Sequence, residues 1–221
     1  RGDVKALPMK KWFNTNYHYI VPALDDSTEI KLNSDKIFRE FTEAIEIGIK
    51  TKPVIIGAFT FLKLADYNGN KKLVDFIPDV VKAYKDVFAK LNELGVEWIQ
   101  IDEPILVTDL NIKDIEAITR IYEELLKDKG KLNILIQTYF GDIRDCYSEI
   151  TALGFDGIGL DFVEGKKSLE LVKEKGFPKN TTLFAGIVNG KNIWKNSYQK
   201  SLETLTEISK YIEKDNIIIN T

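Results

Sequence analysis

Apolar residues recur along this chain in two alternating rhythms. From about Ser34, a plausible N-cap, Ile37, Phe38, Phe41, Ala44 and Ile45 fall at helical spacing until Gly48, and Val54, Ile55 and Ile56 then form a short β-branched run. A second stripe begins near Ile77, carries Val80, Val81, Tyr84, Val87, Phe88 and Leu91, and stops at Gly95 ahead of the run from Glu97 to Ile101. Ile115, Ile118, Ile121, Tyr122 and Leu125 repeat the helical spacing and give way at Gly130 to Leu132 through Ile136. Gly154 and Gly176 precede the runs Gly157 to Leu160 and Leu183 to Val188, and a last helix around Leu202 to Ile212 leads into Ile217, Ile218 and Ile219. Helix, glycine and near-continuous apolar strand in this order predict an α/β fold, with parallel strands buried on both faces and helical crossovers between them.

Six parallel strands suit either a barrel or a doubly wound sheet. The polar residues favour the barrel, because they gather where strands end: Asp102 and Glu103, Thr138 and Tyr139, Asp161, Asn189 and Asn220. In a (βα)8 barrel the carboxyl rim is the active-site face. A doubly wound nucleotide-binding sheet carries a glycine-rich phosphate loop after its first strand, and no such motif occurs here. The prediction is therefore an incomplete (βα)8 barrel of the TIM type, about six of its eight strands present, preceded by an extended aromatic segment, with residues 1–221 forming one domain. An incomplete barrel has an open edge through which two copies could pair into a homo-oligomer.

Composition narrows the function classes. Of 221 residues, 31 are Lys or Arg and 34 are Asp or Glu, with no long block of one sign, so neither a nucleic-acid footprint nor a basic membrane patch is expected. No apolar run approaches the ~20 residues of a membrane span. The single cysteine, Cys146, excludes an internal disulfide and fits a reducing, cytoplasmic setting. One histidine, His18, and one cysteine are too few for a zinc site, and no nucleophile elbow is present, so neither zinc nor a catalytic triad is expected in this chain, while magnesium held by carboxylates alone stays open. The opening Arg1-Gly2-Asp3 has neither an initiator methionine nor a signal-peptide pattern and reads as the interior of a longer chain.

Three clusters could carry chemistry. Lys10 to Pro22 packs aromatics, amides, two lysines and His18 into thirteen positions. As an extended segment it would set Lys11, Phe13, Thr15, Tyr17 and Tyr19 on one side, to stack a flat heterocycle and meet a carboxylate; the duller alternative is plain packing with solvated lysines. In Trp98 to Pro104, the proline should hold Glu103 extended and splay it from Asp102. These carboxylates suit proton transfer or ammonium binding, but also helix capping. Asn189 to Trp194 reads first as a turn. A barrel glycosidase would use Glu103 and Asp161 as its carboxylate pair, about 5 Å apart for retention or about 6.5–9.5 Å for inversion, and carboxyls pointing into packing would exclude it.

Six stretches occur in order: KKWFNTNYHYIVP, VIIGAFTFLKLA, VEWIQIDEPILVTDL, QTYFGDI, GLDFV and AGIVNGKNIW. In them the chain resembles the N-terminal barrel of cobalamin-independent methionine synthases, and the resemblance covers nearly its whole length. It implies part of a two-barrel methyltransferase that moves the methyl group of 5-methyltetrahydropteroyltri-L-glutamate to L-homocysteine. It further implies that zinc, the homocysteine site and the proton donor lie in a C-terminal barrel absent from this chain, and that this chain has no catalytic residue of its own. The lysine directly before Trp-Phe in the family's folate-tail site matches Lys11, the one substrate-binding residue the resemblance carries over. The family's initial glycine-phenylalanine-proline strand and its basic residues are missing, as are the first two barrel strands. Asp102 and Glu103 match the degenerate counterpart of an acidic motif and take no catalytic role, which leaves a non-catalytic scaffold as the other reading.

Overall fold

A computed structural model describes residues 6–221. The aromatic segment is a hairpin and not one extended run: β1 (Met9–Lys11) pairs antiparallel with β2 (His18–Ile20), placing Lys11 opposite His18. The expected alternation of Lys11, Phe13, Thr15, Tyr17 and Tyr19 therefore fails. Trp12 to Tyr17 form a loop closed by the Trp12 N–H donating to the Tyr17 carbonyl at 2.7 Å, and Phe13 adopts φ 51°, which turns the chain back.

β3 (Ala23–Leu24) follows, then α1 (Lys36–Glu46), β4 (Val54–Ile56), α2 (Ala58–Lys63) and β5 (Asp66–Tyr67), the last pairing in parallel with β3 outside the main sheet. α3 (Ile77–Glu93) leads to β6 (Trp98–Asp102), α4 (Ile112–Lys127) to β7 (Asn133–Gln137), and α5 (Tyr147–Ala152) to β8 (Gly157–Asp161). α6 (Ser168–Lys175), β9 (Thr182–Gly186), α7 (Tyr198–Ile208) and β10 (Ile217–Asn220) complete the chain. Ser34 is not the N-cap of α1; Asp35 holds that position, while the Ser34 hydroxyl still accepts the Lys36 N–H at 3.2 Å. α7 starts and stops four residues earlier than the apolar spacing predicted, because Ser209 to Ile212 continue as turns that bury Ile212.

The main sheet has six strands in the order β4, β6, β7, β8, β9, β10, every pair parallel. Each strand adds beside its predecessor, always in the same direction. A doubly wound sheet reverses direction at a switch point, whereas winding that never reverses belongs to a barrel. The sheet is thus a partial (βα)8 barrel, with β4 and β10 at its open edges.

One face of this sheet packs on the helices. Ile101, Ile136, Ile158 and Leu183 lie in one cross-strand register and are fully buried, joined by Ile99, Ile134 and Ala185. Burying each of the isoleucine and leucine side chains is worth about 1.5–3 kcal/mol. They meet Val80, Phe88 and Leu91 of α3 and Ile118, Ile121 and Leu125 of α4 in one continuous apolar cluster. At the edges the protection lapses: Val54 is 51% exposed on β4 and Ile219 is 59% exposed on β10.

Candidate functional site at the carboxyl rim

Strand alternation sends Ile99 and Ile101 of β6 to the helices and leaves Trp98, Gln100 and Asp102 half-buried on the other face. There Asp102 accepts Gln100 Nε2 at 2.8 Å and the Tyr139 hydroxyl at 3.3 Å. Burial raises the Asp102 carboxyl above its usual range, opposed by those two hydrogen bonds and by the charge of Lys52. Lys52 is pushed the opposite way, down, by its own burial; its ammonium sits 4.9 Å from the Phe184 ring centre. Asn220 Nδ2 donates to Gln137 Oε1 at 2.8 Å across the sheet. Among the described residues no buried side-chain nitrogen or oxygen lacks a partner.

Glu103, the next residue, leaves that face altogether. It is fully buried, and its carboxylate accepts the Phe59 N–H at 2.9 Å, the Thr60 N–H at 2.7 Å, the Thr60 hydroxyl at 2.5 Å and the Tyr122 hydroxyl. The two N–H groups are free backbone donors at the start of α2, whose own N-cap residue, Gly57, has no side chain to offer. The approach is so close that a Cβ on Gly57 would lie 2.0 Å from the Glu103 carboxyl carbon. Burial raises the Glu103 carboxyl, and the hydrogen bonds from Thr60 and Tyr122 pull it back. Pro104 does not hold Glu103 extended as predicted: with ψ 60°, Glu103 opens a short 3-10 turn over Pro104–Val107, which aims the carboxylate at α2.

Asp161, at the end of β8, is also committed. One oxygen accepts the N–H groups of Val163 (2.7 Å) and Glu164 (2.9 Å), and the other accepts that of Phe140 (3.0 Å). With Glu103 pointing into packing and Asp161 tied to backbone, the glycosidase pairing is excluded.

The hairpin docks against this same rim. Phe13 and Phe140, the two described non-glycine residues with positive φ (51° and 75°), place their ring centres 5.9 Å apart. Asn14 Nδ2 donates to Glu164 Oε2 at 3.3 Å, and the other Glu164 oxygen pairs with Lys191 Nζ at 2.9 Å. Together they enclose a cleft of about 670 Å³ walled by Trp12, Tyr17, Tyr139, Phe140, Glu164 and Lys191. Asn189 to Asn192 do form the expected turn, with Asn189 Oδ1 accepting the N–H groups of Lys191 (3.0 Å) and Asn192 (3.2 Å), and that turn supplies a wall of the cleft. Lys11 is exposed on β1, beside Trp12 but not among the lining residues. The Lys191–Glu164 pair and Phe140 were not anticipated; the glycine after Phe140 in QTYFGDI was the one local sign of an unusual turn. A larger cleft of about 950 Å³ beside edge strand β4 is walled mainly by apolar side chains such as Ile37, Phe41, Val80 and Val87 and gathers little chemistry.

Zinc finds no fitting donor set. Among the described residues no three of His, Cys, Asp and Glu are close enough to hold a metal, His18 is exposed on the hairpin, and burial pushes the Cys146 thiol up to about 12. Nor is any described helix long and apolar enough to cross a membrane.

With that geometry in view, the fold and rim define a partial (βα)8 barrel domain with a cleft at its carboxyl rim. Solved structures similar in fold include a B12-independent methionine synthase from Shewanella sp. W3-18-1 in complex with selenomethionine (TM-score 0.73, 13% identity, covering 92% of this chain and 63% of that one). A methyltransferase from Methanosarcina mazei is also similar (TM-score 0.67, 13% identity, 92% and 65% covered). The family described as cobalamin-independent synthase, N-terminal domain, matches residues 1–213, and the chain belongs to that family. It is 55% identical over 221 residues to a 5-methyltetrahydropteroyltriglutamate–homocysteine methyltransferase of Lactococcus lactis subsp. lactis, covering all of this chain and 29% of that protein. The same-named protein of Streptococcus thermophilus is 57% identical over 208 residues, covering 94% and 28%. The chain thus spans less than a third of the length of the curated relatives it matches.

Proposed function

We propose that this chain is part of an enzyme moving the methyl group of 5-methyltetrahydropteroyltri-L-glutamate to L-homocysteine, and that residues 1–221 act in it as one unit of an N-terminal barrel. The observation that carries this reading is 55% identity, over the entire chain, to a relative named for that reaction. In this reading the piece has no activity alone, works in the cytoplasm, and leaves zinc, which would stabilise the homocysteine thiolate, to the absent C-terminal barrel. Ile193 and Trp194, 95% and 78% exposed just beyond the rim cleft, support a partner surface there.

Lys11 is the residue assigned to the folate's glutamate tail. Its exposure on β1, one position from Trp12, suits a ligand that reaches the rim from solvent. Calorimetric titration of methyltetrahydrofolate triglutamate tests it. Lys11→Ala should weaken binding by up to about fivefold, since an exposed lysine–carboxylate pair is worth about 0.2–1 kcal/mol, and a monoglutamate should bind less tightly than the triglutamate. A folded chain that binds neither ligand would leave a scaffold in place of a tail site. The open edges also support self-association through β4 and β10; sedimentation at rising concentration should show dimers, and a strict monomer throughout would count against it.

A further inference from the structure

Lys11 is not the only lysine near this rim, and the second has a feature that the first lacks. The Lys191 ammonium is already engaged: Glu164 Oε1 lies at 2.9 Å and the Phe140 ring centre at 5.3 Å. We propose that Lys191 is a carboxylate-binding residue of the rim cleft, and that Glu164 stands in for a ligand carboxylate which displaces it. This rests on the oligoglutamate reading above and specifies where part of the tail is held.

Three observations support the assignment. First, Lys191 is oriented before any ligand arrives. The Asn189 side chain fixes the turn through the N–H groups of Lys191 and Asn192, and Asp161 fixes Phe140 beneath the ammonium by accepting its N–H at 3.0 Å. Phe140 is held at φ 75°, and strained backbone of this kind persists where the surroundings over-determine it, as they do at ligand sites. Second, the ion pair is easily exchanged. The side chains of Lys191 and Glu164 are 33% and 31% exposed, so water screens the pair, and such pairs are worth about 0–1 kcal/mol. Replacing one carboxylate by another there is nearly neutral in energy. Asp161 offers no such exchange, because its oxygens accept three backbone N–H groups. Third, the other donor that Glu164 occupies, Asn14 Nδ2 at 3.3 Å, also lines the cleft, so displacing Glu164 frees a cation and an amide donor together.

The charge balance adds a consequence for specificity. With Glu164 in place, the cleft is lined by two carboxylates, Glu164 and Asp161, against the one ammonium of Lys191, a balance that disfavours a lone anion. A ligand with one carboxylate exchanges like for like and gains little. One carrying several carboxylates in a row can exchange with Glu164 on Lys191 while its remaining carboxylates meet other donors of the cleft, such as Asn14, so the arrangement favours longer tails. At about 670 Å³ the cleft is of ordinary size for a small-molecule site, about 300–1,000 Å³.

The test is calorimetric titration of methyltetrahydrofolate triglutamate, and of γ-linked triglutamate alone, into the 221-residue chain and its variants. Glu164→Gln, which keeps the size and the Asn14 contact but removes the competing charge, should tighten binding about threefold or more, the scale of one exposed ion pair. Lys191→Gln should weaken it by a similar factor. Asn14→Ala, which loosens the hairpin but leaves Glu164 on Lys191, should not tighten it. Glu164→Ala repeats the charge removal in a second form, and near-UV circular dichroism checks that each variant is folded. Unchanged or weaker binding to both Glu164 variants overturns the proposal, even where Lys11→Ala weakens binding and the tail reading stands. Tightening by Glu164→Gln with loss by Lys191→Gln supports it, even if Lys11→Ala has no effect and the Lys11 assignment falls. No binding to any folded variant overturns both.

Discussion

Glu103 and Glu164 are both carboxylates that follow the end of a barrel strand, yet they sit in opposite circumstances. Glu103 is sealed under α2, fully buried, with two backbone N–H groups and two hydroxyls on its oxygens. Glu164 lies a third exposed at the rim, with one amide and one ammonium as partners. The first holds the fold together because nothing can replace it; the second is available to binding because another carboxylate can. Burial and the number of committed donors separate a structural acid from an exchangeable one, and residue type does not.

The largest effect that would sharpen this contrast is on stability. Glu103→Ala strands the donors at the start of α2 and should cost about 3 kcal/mol or more, read as a lower urea midpoint, whereas Glu164→Ala should change it by under about 1 kcal/mol. Equal costs at the two sites would break the comparison. Next comes Gly57→Ala, expected to cost about 1–3 kcal/mol because its new methyl would collide with Glu103. In the Glu103→Ala background that collision disappears, so the double variant should lose less than the sum of the singles; strict additivity would mean that the close approach is not what requires glycine. The smallest effect concerns pH. Burial raises Asp102 above its ordinary 3.8, so between 3.8 and the raised value the folded chain keeps a proton the unfolded chain has released. That contribution to stability is complete below 3.8 and is lost as pH climbs through the raised value. Asp102→Asn should flatten the decline of stability with pH without abolishing it, because Glu103 is raised too; a variant with the parent's slope would show that Asp102 titrates normally.

Much of the barrel was legible because its units are local. Gly48, Gly95, Gly130, Gly154 and Gly176, all at positive φ, mark where chain ends a helix and heads for the next strand, and the observed strands differ from the apolar runs mostly by one residue. α2 was missed because its signal is remote: six residues capped by a carboxylate 43 and 44 positions further on. The hairpin was missed because its turn depends on Phe13 at positive φ, a conformation that no glycine announces. Asp102 and Asp161 could be placed at the rim from strand ends alone, but their hydrogen-bond commitments could not, since Tyr139 and Phe140 arrive from the neighbouring strand. The rim cleft draws on the hairpin, on the ends of β7 and β8, and on the turn after β9, parts that no spacing rule connects.

The strand order has one more implication, for how the chain is made. Because each strand pairs with its predecessor, the sheet can be laid down unit by unit as the polypeptide emerges, but the contact between Asn14 and Glu164 spans 150 positions. At a synthesis rate of about 5–20 residues per second, the hairpin's amide waits about 8–30 s for its partner to exist. An element made ahead of every described strand of the main sheet is thus latched only after four of those strands exist, and through that interval its aromatic side chains must be kept from meeting anything else.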